Sequence, residues 1–131
     1  MRTRLLPFLA GLALLTAACG RSSLATTPRG AQNVVTAEQM IQANAQTVYD
    51  VVERLRPDWL TTRGPSSLSN ATPDVPSVFI GGNRVGDIDF LRGLSADDVH
   101  EIRYYEAGEA GLRFGRGHPR GVIEVFMKGA M

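Results

Sequence analysis

The sequence predicts a small α+β domain: a small mixed sheet, one main helix and several short helical turns. Three observations carry that prediction. Residues 37–55 repeat apolar side chains at helical spacing. Residues 77–80 and 84–85 are β-rich and flank the turn Gly81-Gly82-Asn83, which reads as a hairpin because glycine and asparagine tolerate positive φ. Residues 99–106 and 122–127 read as further strands, separated by a helical turn and a glycine-rich loop. The order helix, hairpin, strand, short helix, strand is that of an α+β fold.

Taken in chain order, Thr36 is a helix cap with Gln39 as its capping-box partner three residues on. Ile41, Ala45, Val48, Val52 and Leu55 then form one apolar stripe, while Gln39, Gln42, Gln46, Asp50 and Glu53 fall on the other side. The spacing predicts a single helix over 37–55, ended by Pro57, because proline disfavours helical geometry in the residue before it. Trp59 and Leu60 are expected to pack back on the core. Residues 63–76 are nearly all breakers and read as a loop. Residues 87–91 and 96–98 each suit one helical turn, the second with its acids at the favourable N-terminal end. In 99–106, Ile102 and Tyr104 alternate with Glu101, Arg103 and Tyr105, the pattern of a half-buried strand. Residues 106–114 make a short helical turn rich in small residues, 115–121 a Gly/Arg loop, and 122–127 the closing strand.

The first residues carry an address rather than a fold. Arg2 and Arg4, the apolar run 5–15 and the small residues Thr16, Ala17 and Ala18 follow the order of a secretory signal peptide. The run is short of the roughly 20 apolar residues that span a bilayer. Cys19 is the sole cysteine of 131 residues and stands directly after the small residues. Processing before Cys19 leaves one domain of ordinary size, with no disulfide possible within the chain, so stability must come from packing. Residues 20–30 are rich in Ser, Thr, Gly and Arg and read as a flexible tether, which spans 19–33 from the cysteine to the first strand. The formal charge of +1 turns slightly acidic once Arg2 and Arg4 are removed, which is no footprint for nucleic acid.

Leader and cysteine together resemble the lipobox of bacterial lipoproteins, with the departure that Thr16 stands where that family usually has leucine. Residues 34–128 are similar to the plug domain of TonB-dependent outer-membrane receptors. VPSVFIGGNRVGD (75–87) resembles that family's hairpin, LSADDVHEIRYYEAGEA (94–110) its acidic turn leading into a strand and a small-residue turn, and LRFGRGHPRGVIEVFMK (112–128) its glycine loop and final strand. VVTAEQMIQANAQTVYDVVERLRPDWL (34–60) resembles the family's first strand and helix. A receptor of this family continues into a large β-barrel, whereas this sequence ends three residues after Lys128. The resemblance therefore implies a plug-like domain without a barrel of its own, and gated transport does not carry over. Val34-Val35-Thr36-Ala37 also echoes the receptors' energy-coupling box, although a first-strand role explains the same residues.

Candidate sites are few. Arg113, Arg116 and Arg120, with His118 among them, suit an anion-binding patch on a loop whose backbone N–H groups are accessible. The simpler reading is a solvated loop whose glycines make a tight turn. Gly115, Gly117 and Gly121 have the wrong spacing for a dinucleotide loop and precede a strand, not a helix. His100 and His118 lack ligand-like spacing and a cysteine partner, so no metal site is expected. Asp87 with Asp89 and Asp97 with Asp98 are better read as capping residues than as paired catalytic carboxylates. Trp59, Phe79, Tyr104 and Phe114 are expected in the core, and Phe90 and Tyr105 at the surface, where they would mark a partner face. The expectation is a non-enzymatic envelope lipoprotein without cofactor, lipidated at Cys19 and held at the outer membrane on its periplasmic side. It would act by binding another envelope or outer-membrane protein, including a separate β-barrel. The alternative is a periplasmic small-molecule or peptide binder using the loops 63–76 and 115–121.

Overall fold

A computed structural model of the protein describes residues 29–62 and 74–129. Arg29–Gln32, at the end of the expected tether, forms a single helical turn, α1. Five strands follow: β1 (Val34–Thr36), β2 (Ser77–Ile80), β3 (Asn83–Asp87), β4 (Val99–Tyr105) and β5 (Val122–Met127). They form one sheet in the order β1-β4-β5-β2-β3. β2 runs parallel to β5, and the other neighbouring pairs are antiparallel. The domain is thus a small mixed-sheet α+β fold, as its sequence predicts. Val34–Thr36, the segment that echoes a coupling box, is paired with β4 along Val34–Arg103, Val35–Ile102 and Thr36–Glu101.

The hairpin closes as its turn residues require. Gly81 and Gly82 take φ of 55° and 83°, the left-handed pair that matches strand twist in a two-residue loop. Val85 is the extra residue of a bulge, since Val78 pairs with Gly86 and Phe79 with Arg84.

The single helix expected over 37–55 is two: α2 (Ala37–Ala43) and α3 (Val48–Leu55). The expected cap at Thr36 forms, with the Gln39 N–H donating to Thr36 Oγ1 at 3.4 Å and the Thr36 N–H donating to Gln39 Oε1 at 3.1 Å. Asn44 then turns left-handed at φ 47° and its N–H donates to the Ile41 carbonyl. Thr47 opens a second capping box with Asp50, their paired bonds 3.2 and 3.3 Å long. Each cap satisfies otherwise orphaned helix N–H groups and is typically worth about 1 kcal/mol. The break is also pinned from outside: Ala96 N–H donates to the Gln46 carbonyl and Val48 N–H to the Leu94 carbonyl, both at 2.9 Å. Ile41 consequently leaves the apolar stripe and is 72% exposed.

α3 ends at Leu55, and Pro57–Leu60 continues as a 3₁₀ turn with proline at its start. Further 3₁₀ segments cover Ile88–Gly93 and Ala96–Asp98. Asp87 caps the first of these by accepting from the Asp89 N–H at 3.1 Å, so this carboxylate acts as a cap.

Alternation along the strands sorts the core into two faces. Val35, Val78, Ile102, Ile123 and Val125 point to one side and meet Met40, Val48, Val51, Val52, Trp59 and Leu91. Leu55 is only partly buried at the margin of this cluster. The other side carries Phe79, Tyr105 and Val122, covered by Ala110 of the short helix α4 (Ala107–Arg113) and by Phe114. β5 lies between β4 and β2 and is buried on both faces from Val122 to Val125.

Candidate functional site

The residues singled out from the sequence lie on α4 and on the loop that joins it to β5. Gly115, Gly117 and Gly121 take φ of 90°, 105° and 80°, a left-handed geometry natural only to glycine. The loop therefore turns sharply at each of them, and its side chains leave in different directions.

Arg113 leans back toward the sheet with its side chain half exposed. Its guanidinium lies over the Tyr105 ring at 5.0 Å and reaches Glu124 Oε2 at 3.5 Å. His118 turns toward β2, where its Nδ1 is 2.9 Å from the Ser77 Oγ and its ring meets Phe79 edge-on. Arg120 turns toward the 3₁₀ segment after α3, donating to the Thr61 carbonyl and, at 3.2 Å, to Thr61 Oγ1. Arg116 is exposed and makes no ion pair among the described residues. One surface thus holds all four side chains without aiming them at a common point. Arg113, His118 and Arg120 brace the loop against three different elements, and Arg116 is the cation presented outward.

Beneath this loop lies a buried polar group that the strand pattern does not reveal. Glu124 is 3% exposed in the middle of β5. It accepts from the Tyr105 hydroxyl at 3.0 Å and faces Arg113. A buried carboxylate requires such partners, because an unpaired charge in the interior is strongly unfavourable. Tyr105, expected at the surface, is 2% exposed. The reason is that α4 folds back over the end of β4 and covers the ring, which also stacks edge-on against Phe114. Phe90, the other expected surface aromatic, is 41% exposed.

Burial raises the Tyr105 hydroxyl above its ordinary range, and the neighbouring Glu124 carboxylate raises it further, against the opposing pull of Arg103 and Arg113. Tyr104 is also raised, chiefly by burial, with Arg120 opposing and Glu106 and Asp58 assisting. The resulting stability is fully present below the unfolded tyrosine value of about 10, and is lost as pH rises through the higher folded value. Circular dichroism against pH should therefore show unfolding on the alkaline side. Tyr105→Phe, which has no proton to lose, should make stability less dependent on alkaline pH but lower it at neutral pH, because buried Glu124 loses the hydroxyl that donates to it.

Ser77 and His118 superficially resemble a nucleophile and its base, but Ser77 is 5% exposed and lies under the loop. A nucleophile must reach its substrate, so the pair is a structural tie. Among the described residues no group of three or more His, Cys, Asp or Glu side chains could hold a metal, and no helix is long and apolar enough to cross a membrane.

Two adjoining grooves border the end of β4. One, of about 430 Å³, has Trp59 and Tyr104 at its base and Arg56, Asp58 and Glu106 at its walls. Its neighbour, of about 380 Å³, is lined by Arg103, Tyr105, Glu109 and Arg113. A more open hollow of about 330 Å³ lies between α4 and the loop, lined by Ala107, Gly111, Arg116, Gly117, His118 and Pro119. Cys19 and the leader lie outside the described residues, as does most of the expected loop 63–76. No protein-family model matches this chain, and none of the curated proteins compared with it matches either.

Proposed function

We propose that the protein is a non-enzymatic envelope lipoprotein whose plug-like domain acts by binding another envelope or outer-membrane protein. The observation that carries this reading is the 115–121 loop. Three left-handed glycines and the ties from Arg113, His118 and Arg120 hold it in one shape at the start of the central strand β5, with Arg116 directed outward. Binding residues concentrate on such loops, where a rigid scaffold positions an exposed surface. Arginine suits a partner carboxylate or phosphate, because its planar fork pairs bidentately. The order of the motifs in 34–128, which resembles that of the TonB-dependent receptor plugs, supports the same reading. Cys19 after its leader supplies the lipid anchor at the outer membrane.

The second reading, a small-molecule or peptide binder, is favoured by the 430 Å³ groove with its aromatic base and charged walls. Crosslinked envelope extracts distinguish the two. The full lipidated chain should capture an outer-membrane protein, and Arg116→Ala should lower the recovery while the melting temperature stays unchanged. Arg120→Ala should lower both, since its guanidinium braces the loop on Thr61. Equal recovery of every partner by wild type and Arg116→Ala removes the loop from the binding face. A small molecule retained by the purified chain in native mass spectrometry, with no protein captured, favours the second reading.

A further inference from the structure

The hollow between α4 and the 115–121 loop differs in character from the two grooves at the end of β4. Its wall is mostly apolar, built from Ala107 and Gly111 of α4 and from Gly117 and Pro119 of the loop. Among the described residues, the only titratable side chains that line it are Arg116 and His118. His118 is already tied to Ser77, and the exposed Glu109 of α4 does not line the hollow. Arg116 makes no ion pair among the described residues, so the charge offered beside this apolar wall is a single cation.

The same stretch offers backbone donors. Gly115, Arg116 and Gly117 are exposed, and their N–H groups make no hydrogen bond among the described residues. Gly115 and Gly117 have open space where a Cβ would stand, so a ligand can come close to the backbone. Adjacent unbonded N–H groups in a turn with left-handed residues suit an anion.

An apolar hollow next to one cation and unspent backbone donors matches a residue that carries an apolar side chain and a carboxylate together. The last residue of a chain has both on one Cα, and backbone donors of this kind capture terminal carboxylates. An internal acid has its carboxylate on the side chain, so a different residue would have to fill the hollow. The volume of about 330 Å³ is ample for one aromatic or branched side chain, since about 150 Å³ holds a benzene ring. We infer that the hollow captures the C-terminus of a partner protein whose last residue is apolar. That side chain lies against the α4–loop wall, and the terminal carboxylate pairs with Arg116 and the loop N–H groups. The inference rests on the reading of the protein as a binder of another envelope protein, and it names the part of the partner that is held.

The test is a nuclear magnetic resonance titration of the full chain in dodecyl maltoside with acetyl-Gly-Gly-Phe bearing a free carboxylate. The amide resonances of residues 115–118 should shift and saturate. The C-terminal amide of the same peptide should bind roughly tenfold more weakly or worse, having lost the charge-assisted bonds. Acetyl-Gly-Gly-Ser should lose a similar factor, because no apolar side chain leaves water. Arg116→Ala should cost roughly fivefold, as expected of an exposed pair. Gly111→Leu should fill the hollow and abolish the shifts. A Cβ at Gly111 meets nothing within 4 Å and leucine is the better helix former, so that variant should keep its circular dichroism spectrum. Leu112→Ala is the control for unspecific apolar contact: Leu112 is 92% exposed but does not line the hollow, so the affinity should stay unchanged. No shift at residues 115–118, equal binding of the amide or of acetyl-Gly-Asp-Phe amide, or an affinity indifferent to Gly111→Leu would each overturn the inference. If the peptides fail while envelope extracts still yield a protein whose recovery falls with Arg116→Ala, the inference falls and the binding reading stands. If the extracts yield no protein either, both fall.

Discussion

Gly121→Ala should be the most damaging single substitution in the domain. Gly121 sits at φ 80°, and a methyl group there would collide with the Tyr105 carbonyl and lie 2.8 Å from the Tyr104 hydroxyl. The position is also a junction of backbone bonds. Its N–H donates to the His118 carbonyl at 3.0 Å, and its own carbonyl accepts from the Ser77 N–H at 3.2 Å. Backbone strain of order 1–3 kcal/mol and a clash with atoms that cannot swing away add to one another. The expected cost is at least about 3 kcal/mol, which lowers the melting temperature of a domain of this size by roughly 10 °C or more. Gly117→Ala is the control. Gly117 shares the left-handed geometry at φ 105° but has open space around it, so it should incur the strain alone and lose less. Calorimetry of the two variants checks both the magnitude and the ranking.

Trp59→Ala should follow closely. Trp59 is 2% exposed and stacks on Tyr104 with ring centroids 5.4 Å apart and planes inclined by 16°. It closes the bottom of the main core where α3 runs into the 3₁₀ turn. Removing a buried tryptophan typically costs about 3–5 kcal/mol, against a total stability of roughly 5–15 kcal/mol. Loss of the Trp59 stack also exposes Tyr104, whose hydroxyl donates to the Arg120 carbonyl at the root of the 115–121 loop. The variant should thus loosen that loop, measurable as faster amide hydrogen exchange at residues 115–121. Leu55→Ala should be milder, because Leu55 is only partly buried at the edge of the same cluster.

Much of the candidate surface was legible in the residues, and the part that was not has a common cause. Arg113, Arg116, His118 and Arg120 stand close together in sequence, so their presence on one loop follows from spacing alone. Their directions do not. Arg113 finds Glu124 eleven residues away, His118 finds Ser77 and Arg120 finds Thr61, each on an element that only the fold brings near. Glu124 is a charged residue within the closing strand, and it is buried because β4 and β2 flank β5 and α4 covers that face. Tyr105 changes from surface to core for the same reason.

By itself the sequence determined the elements whose cause is local. The Thr36–Gln39 capping box, the Gly81-Gly82 turn, the stop at Pro57, the alternation in β4 and the closing strand 122–127 all arise from residues within a few positions of one another. Helix periodicity is equally local, yet it predicted one helix where two exist. Each helix keeps its own apolar contact with the sheet, but the turn between them answers to Leu94 and Ala96, about fifty residues away. Strand order, the parallel pairing of β2 with β5 and the burial of Glu124 were decided only by tertiary structure. Such features depend on which apolar faces can be covered at once, and that condition is imposed by the whole assembled sheet.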